Sequence, residues 1–331
     1  MFLLFFVIFF SKIFIPKWID EEDNRMSFIV KGFYKEPKDS IDVLFTGNSD
    51  VYRGVSPMVL YQKYGITSYN FVSSGQRMWI GLAMLEEALR YQSPKVVFFN
   101  VDEVYYTSNL SWAHHKAYDN MRLGLPKLKA LLDSSYDRPF IEKLGHIFPV
   151  FVYHDRYKEL SWSDFKYAFY DYTDVTKGMD LVVGADPYVS DQDYMEKTDE
   201  IREIPDLNIE YLNKMKKLCD EAGTKLVLFE VPSPDSWGYD EHNAVAKYAL
   251  ENGLEFLDLN LFLEDIGIDW NLDTFDKGDH LNIYGAEKVS LFLADYLHEN
   301  FDLENHKNDN WDKQYDLYIK LKEEKENELY N

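Results

Sequence analysis

Five short segments of the chain are rich in β-branched and aromatic residues, and most of them are separated by patterns of helical period. They cover residues 41–45, 66–72, 95–101, 225–231 and 255–259. The third segment, KVVFFNV, is predominantly apolar, as is typical of a strand buried on both faces of a parallel sheet. Alternation of such strands with helices favours an α/β fold. We therefore expect a mostly parallel sheet with helices packed on its faces.

Helices are predicted where apolar residues recur every three or four positions. Met78, Leu82, Leu85 and Leu89 form one such series after the second strand. Similar patterns or turn signals predict helices at 57–64, 208–221 and 242–252, and a last core helix around 289–297.

Residues 102–203 break this alternation and are dense in tyrosine, tryptophan and phenylalanine. They show no clean strand period, so we expect a mostly helical insertion that packs over the carboxyl edge of the sheet. Two interpretations stay open here. The insertion is either a lid that shapes a substrate cleft or simply more of the hydrophobic core.

The charge balance excludes one class of partner. The 331 residues include 58 acidic and 35 basic side chains, a formal net charge of −23. Binding to nucleic acid needs a basic surface, so a nucleic-acid partner is not expected. The single cysteine, Cys219, excludes an intrachain disulfide bond.

The first fifteen residues, MFLLFFVIFFSKIFI, are apolar except for Ser11 and Lys12. No small-residue cleavage site follows them, and acidic residues begin at Asp20. We predict an uncleaved membrane anchor at residues 1–18, a polar linker at 19–40, and a catalytic domain outside the cytoplasmic membrane. The alternative is a buried N-terminal helix. At the other end, residues 304–331 are rich in charge and predict a peripheral helix or frayed tail.

A candidate nucleophile lies directly after the first predicted strand. That strand runs into the turn Gly47-Asn48-Ser49-Asp50, and glycine lets the backbone bend sharply there. Ligands of open α/β sheets bind at the carboxyl ends of the strands, which is where Ser49 is expected. By itself such a serine is more often a turn residue or a helix cap.

A candidate base lies far along the chain, in the polar loop 269–282 before the last core helix. This loop carries His280 together with Asp273, Asp276 and Asp279. It can reach the same sheet edge as Ser49, so a serine nucleophile, a histidine base and an orienting carboxylate can meet. The three aspartates could instead bind calcium, but their spacing does not match an EF-hand loop. The other histidines show no metal-ligand spacing.

Together these motifs resemble the SGNH/GDSL hydrolase superfamily, in its membrane-anchored extracytoplasmic form. The resemblance covers residues 33–106 and 226–297. It rests on the segments FYKEPKDSIDVLFTGNS, SPKVVFFNV and DHLNIYGAEKVS. It implies a flavodoxin-like α/β/α sandwich over residues 41–303. The sequence departs from the family pattern at Asn48, where an aspartate is usual, and at Phe98, where a glycine is usual.

The resemblance implies a serine esterase or O-acyltransferase that acts on an acylated cell-surface glycan or polymer without a metal or organic cofactor. Members of this group accompany membrane-bound O-acyltransferases, which makes such an enzyme a possible partner. Ser49 would be the nucleophile and His280 the base. The usual spacing of the acid would place it at Lys277, so Asp276 is favoured and Asp279 is the alternative. Oxyanion donors would come from the Ser49 and Gly75 backbone and from the Asn100 amide. The rival interpretation is a non-catalytic, membrane-tethered binding or assembly partner.

Overall fold

The computed structural model describes residues 2–16, 26–169, 173–190 and 193–329. These residues form one five-stranded sheet in the order β2-β1-β3-β4-β5, in which every neighbouring pair is parallel. The strands are β1 (Val43–Thr46), β2 (Ser68–Asn70), β3 (Val96–Asn100), β4 (Lys225–Glu230) and β5 (Glu255–Asp258). The chain therefore has the predicted α/β fold, with a flavodoxin-like strand order.

Burial on both faces explains why these segments form strands. Every residue of β1, β2 and β3 is buried. Leu44 at the centre of β1 pairs with Tyr69 of β2 and Val97 of β3, so its backbone groups are used in the sheet. Phe45 and Phe98 then pack side by side, with ring centroids 5.2 Å apart.

Helices surround the sheet and account for most of the remaining described residues. The α-helices are α1 (Phe2–Phe14), α2 (Met26–Phe33), α3 (Ser49–Gly54), α4 (Pro57–Tyr64), α5 (Met78–Tyr91), α6 (Ser111–Tyr118), α7 (Leu125–Leu132), α8 (Phe140–Gly145), α9 (Val150–Tyr153), α10 (Trp162–Phe169), α11 (Asp206–Ala222), α12 (Tyr239–Asn252), α13 (Leu263–Ile266), α14 (Ile283–Asn300) and α15 (Asp309–Leu329).

Two groups of helices form the outer layers of the sandwich. Helices α3, α4, α14 and α15 pack against one another, and α5 packs against α11 and α7. The Tyr248 hydroxyl of α12 donates to the Asn213 side chain of α11, which places α12 in the second group. The switch in strand order lies between β1 and β3, where α/β sheets bind their ligands.

The insertion at 102–203 contains the short helices α6 to α10, which are followed by irregular chain. Helix α7 packs on α5, which fixes the insertion to the second helix layer. The irregular part returns to the sheet, where the Lys177 carbonyl accepts a hydrogen bond from the Asn70 backbone of the edge strand β2. Parts of the insertion thus serve as core, and other parts reach the carboxyl edge of the sheet.

The segment predicted as a polar linker, 19–40, contains helix α2. Residues 17–25 lie outside the described part of the chain, but Ile29, Val30 and Phe33 of α2 are buried. The Phe33 ring stacks on Phe71 at 4.1 Å between centroids. The spacing of these apolar residues places them on one face of the helix, and that face is buried in the core. This part of the predicted linker is therefore a core helix.

Helix α1, within the predicted membrane anchor, packs on α9 and α10 of the insertion. Its Phe9 stacks on Phe169 with ring centroids 5.0 Å apart, and the Phe14 carbonyl accepts a hydrogen bond from Arg156. Among the described residues, no helix combines the length and hydropathy that a membrane crossing requires. The membrane anchor stays a prediction.

The charged C-terminal segment forms helix α15, which packs on α4. Trp311 and Tyr318 are buried, and the Gln314 side chain accepts a hydrogen bond from the buried Lys177 ammonium. Of the two alternatives for residues 304–331, a peripheral helix or a frayed tail, residues 309–329 adopt the helix.

Candidate active site

Ser49 is the first residue of α3, at the carboxyl end of β1. Gly47 makes the turn with φ of +144°, and a Cβ there would lie 2.7 Å from the Cβ of Asn100. Asn48 caps α3, because its side-chain oxygen accepts from the Asp50 backbone N–H. Glycine is thus required by both conformation and space, and the turn holds Ser49 at the sheet edge.

Asp276 holds His280 by two hydrogen bonds. Its Oδ2 lies 2.6 Å from the imidazole Nδ1, and its Oδ1 accepts from the His280 backbone N–H at 2.7 Å. Lys277 (φ +63°) and Gly278 (φ +98°) turn the loop back so that a carboxylate four residues earlier reaches the ring. This contact directs the other ring nitrogen, Nε2, away from the loop.

Asp279 is a weaker partner of the same nitrogen. Its Oδ2 lies 3.2 Å from Nδ1 of His280, and its side chain is 47% exposed, against 27% for Asp276. Asp276 also faces the Arg53 guanidinium at 4.0 Å. The geometry therefore favours Asp276 over Asp279 as the group that orients the imidazole.

The three aspartates of this loop do not converge. Asp273 is buried, and its carboxylate accepts from the Lys288 ammonium at 2.6 Å and from the Asp269 backbone N–H at 2.7 Å. It is therefore occupied by a salt bridge while Asp276 and Asp279 face His280. This arrangement gives no support to a calcium site built from all three.

Ser49 and His280 line two adjoining cavities. The larger has a volume of about 760 Å³ and is also lined by Arg53, Asp180 and the end of α15 at Leu329. The smaller, about 220 Å³, is closed by residues 106–112 of the insertion and by Gly75. The predicted nucleophile and base thus stand where a substrate could approach from either side.

Among the described residues, no hydrogen bond joins the Ser49 hydroxyl to His280. The imidazole Nε2 instead faces Asp50 Oδ1 at 3.9 Å. Catalytic hydrogen bonds are often long in a ligand-free enzyme and shorten when substrate binds. The structure brings Ser49 and His280 to one site without forming the bond that proton transfer would use.

The electrostatics around His280 favour its protonated form. Burial lowers its pKa, but the hydrogen bond to Asp276 and the negative charges of Asp50 and Asp279 raise the pKa above its ordinary value. Asp50 itself is buried beside Asp102, and both effects raise its pKa to about 8. His280 and Asp50, which lie next to Ser49, therefore both hold a proton to higher pH than such groups ordinarily do.

The predicted oxyanion donors differ in position. Gly75 lines the smaller cavity with φ of +60°. Asn100 is fully buried beneath the turn, and its Oδ1 accepts from the Val231 backbone N–H at 3.3 Å. Its amide does not line either cavity. The structure thus brings Gly75 to Ser49 and leaves Asn100 below it, because Gly47 rests directly on the Asn100 side chain.

Several buried acids at this sheet edge were not anticipated. Asn48 donates to the Asp102 carboxylate at 2.5 Å, and burial raises the pKa of Asp102 to about 6. Burial likewise raises the pKa of Glu103 to about 8 and that of Glu230 well above its usual range. A signal existed in the sequence, since Glu230 ends an apolar strand segment and Asp102 and Glu103 are the two residues after another.

A second polar cluster lies in the insertion. His115, Asp119 and His146 are all buried, and potential ligand atoms of the three lie within 4.8 Å of one another. The sequence showed no metal-ligand spacing around these histidines, and in the structure His115 and His146 both contact the Asp119 carboxylate. Their spacing gave no signal because His146 comes from a different segment and only the tertiary fold joins it to the others.

Comparisons with known proteins add little. No protein-family model and no curated protein matches this chain. Among solved structures, it is similar to a Bacteroides fragilis protein provisionally named an acylhydrolase. The two have a TM-score of 0.37 and 11% identity, over 83% of this chain and 96% of the other. Similarity of this size assigns no function, so function must be argued from the site itself.

Proposed function

We propose that this protein is a serine esterase or O-acyltransferase that works through an acyl-enzyme on Ser49. The observation that carries the proposal is the Asp276–His280 pair beside Ser49, at the junction of two cavities on the carboxyl edge of the sheet. A serine, a histidine and an orienting carboxylate in this relation are the parts of a nucleophilic triad.

In the proposed reaction, neutral His280 accepts the Ser49 proton at Nε2 while Oγ attacks the acyl carbonyl. Asp276 keeps a proton on Nδ1, which leaves Nε2 as the basic nitrogen and stabilises the imidazolium that forms. The imidazolium then protonates the leaving alcohol. Water or a sugar hydroxyl next attacks the acyl-enzyme while His280 Nε2 accepts its proton, and the imidazolium passes that proton to Ser49 Oγ as the acyl product leaves.

Two backbone N–H groups can stabilise the oxyanion that forms when Ser49 attacks the carbonyl. Neither the Ser49 N–H nor the Gly75 N–H donates to another described residue, and both residues line the smaller cavity. Two such donors are the usual means of stabilising a tetrahedral oxyanion. We assign this role to Ser49 and Gly75 and not to the Asn100 amide, which lies beneath the turn.

The lining of the two cavities suggests which part of the substrate binds in each. The smaller cavity is lined by Tyr106, Leu110 and Trp112, which suit a short acyl group. The larger cavity, which contains Arg53 and Asp180, is more polar and suits the glycan or polymer that carries the acyl group. An acylated cell-surface glycan is the substrate class that we propose.

A membrane location is proposed on the basis of an apolar face formed by α1 and the neighbouring insertion helices. Its exposed aromatic side chains are Phe9, Phe10, Phe151, Tyr157, Trp162 and Phe169. Phe9 contacts both Phe10 and Phe169, and a contiguous exposed apolar surface marks contact with a membrane or a protein. We propose that this face, with the N-terminal segment, tethers an extracytoplasmic enzyme, with a membrane-bound O-acyltransferase as its partner.

One observation favours a second candidate function. Because the Ser49 hydroxyl is not bonded to His280, the fold could serve as a non-catalytic assembly partner of a membrane-bound O-acyltransferase. That candidate predicts no turnover of any acyl ester and full cellular function of a Ser49→Ala protein.

The test is turnover of short p-nitrophenyl esters by the full chain and by Ser49→Ala. Ser236→Ala is the matched control, since Ser236 lines the same small cavity and bonds to Ser233. We expect Ser49→Ala to lose essentially all activity and Ser236→Ala to keep it. Added sugar acceptors that speed release of p-nitrophenol and become acylated indicate transfer. Equal activity of Ser49→Ala and the wild type contradicts the proposal.

A further inference from the structure

Two histidines and an aspartate of the insertion converge far from Ser49 in the sequence. His115 lies in α6, and Asp119 follows the last turn of the same helix, so a four-residue spacing puts both on one face. His146 comes just after α8. Its Nδ1 lies 2.5 Å from Asp119 Oδ1, while Nδ1 of His115 lies 3.0 Å from Asp119 Oδ2. All three residues are at least nine-tenths buried.

Both imidazoles turn the same nitrogen inward and have a partner on the other. The Nε2 of His146 is hydrogen-bonded to the Tyr136 hydroxyl. The Nε2 of His115 faces Glu142 Oε1 at 3.9 Å, and Arg138 and Ser111 bind that carboxylate in turn. An outer hydrogen bond such as the one between Tyr136 and His146 fixes the ring orientation, which is a regular feature of metal-binding histidines; His115 faces a carboxylate at a longer distance.

The Tyr153 hydroxyl is a fourth polar group of the cluster, and the cluster has fewer protons than hydrogen-bond contacts. The Tyr153 hydroxyl lies 2.7 Å from His115 Nδ1 and 2.5 Å from Asp119 Oδ2. Three close contacts thus join His115 Nδ1, Asp119 Oδ2 and Tyr153 Oη. The imidazole and the phenol can supply at most one proton each to them. Two protons for three contacts leave one contact without a proton of its own, unless the imidazole N–H is shared between the two oxygens.

A cation removes this shortage of protons, because every inward atom can then act as an electron-pair donor. We propose that His115, Asp119 and His146 bind a zinc ion, with the Tyr153 oxygen as the fourth ligand. Two imidazole nitrogens and a carboxylate are ligands that zinc accepts readily, and four-coordinate sites closed to solvent are structural. Buried carboxylate charge is also neutralised by the ion.

The role that follows is to fix the insertion. The ligands come from α6, from the turn after α8 and from α9, and the last two helices have only six and four residues. Helices this short are unstable without tertiary contacts. Trp112, which closes the smaller cavity, lies in the first turn of α6, three residues before His115. A zinc ion here would therefore also hold one wall of the candidate active site.

The test uses the full chain, dialysed against EDTA and then against buffer. We expect the folded wild type to take up about one zinc per chain, measured by elemental analysis and by calorimetry. His115→Gln and His146→Gln should each lose most of this affinity. His242→Gln is the matched control, since His242 contacts the Asp258 carboxylate at 2.8 Å but no second histidine lies there.

Loss of the Tyr136 hydroxyl should reduce the zinc affinity without abolishing it. Tyr136→Phe removes only the hydroxyl bonded to His146, so it should weaken zinc binding by about 10- to 100-fold while leaving the fold intact. Circular dichroism identifies any variant that fails to fold. The proposal is overturned if folded wild-type protein takes up no zinc, or if the His115 and His146 variants bind as tightly as His242→Gln. The cluster is then a proton-sharing network only.

Discussion

Replacing Asp276 by asparagine tests which carboxylate supports the candidate base. Asp276 accepts from His280 twice, at Nδ1 and at the backbone N–H. Asparagine keeps the shape and can still accept the backbone bond through its oxygen. Its amide nitrogen then faces Nδ1 and donates to it, so the imidazole must carry its proton on Nε2. In that tautomer Nε2 cannot accept the Ser49 proton.

The expected loss is large. In serine hydrolases the same aspartate-to-asparagine change lowers kcat by about 10⁴ because the histidine takes the wrong tautomer. We expect about 10³- to 10⁴-fold for Asp276→Asn, or roughly 4–5.5 kcal/mol of transition-state stabilisation. Asp279→Asn is the matched control. Asp279 approaches Nδ1 only to 3.2 Å and is half exposed, so its variant should stay within about tenfold of the wild type.

The assay is kcat/KM for a short p-nitrophenyl ester between pH 5 and 9. The His280 pKa is raised, and only the neutral imidazole is a base, so the rate should rise with pH through that pKa. Because the Asp276 hydrogen bond raises the pKa, Asp276→Asn should move this limb to lower pH and reduce the plateau. The assignment is refuted if Asp276→Asn keeps activity within tenfold while Asp279→Asn loses most of it.

Three further changes probe the surroundings of the site. Burial raises the pKa of Glu103 to about 8, so the native state keeps a proton that the unfolded chain loses, and the free energy of unfolding falls as pH rises from 5 to 8. Glu103→Gln should reduce this fall by about 3–5 kcal/mol in urea titrations at the two pH values, and an unchanged slope would contradict the burial argument. Gly47→Ala places a Cβ 2.7 Å from the Cβ of Asn100 at a φ of +144°. We expect the free energy of unfolding, measured by thermal unfolding, to fall by about 1–3 kcal/mol, and no change would show that the turn is not constrained. Trp112→Ala opens the smaller cavity, so the kcat/KM ratio of hexanoyl to acetyl esters should rise at least about tenfold, and an unchanged ratio would remove Trp112 from the acyl site.

Strand composition was sufficient to predict the sheet, since the five apolar segments all became strands. The main difference is in β2, which was expected at 66–72 and extends only from Ser68 to Asn70. It is an edge strand, and the insertion covers it, with Lys177 accepting from the Asn70 backbone. A contact between segments more than a hundred residues apart cannot be inferred from local pattern.

The position of the candidate site was predictable because parallel strands bring their carboxyl ends to one edge. That rule placed Ser49 and the His280 loop together. The favoured acid, Asp276, reaches His280 because Lys277 adopts a positive φ and Gly278 completes the turn. Asn100, the third predicted donor, lines neither cavity, and the sequence gives the edge at which a strand ends but not whether the side chain lies above or below the turn.

Covalent capture by a fluorophosphonate measures whether Ser49 is an activated nucleophile. The folded full chain is incubated with a fluorophosphonate, its intact mass is measured, and the modified peptide is identified by fragmentation. We expect one adduct per chain on Ser49, none on Ser49→Ala, and an undiminished adduct on Ser236→Ala. Failure of the folded wild type to react, or equal labelling of Ser49→Ala, would contradict the assignment of Ser49 as an activated nucleophile.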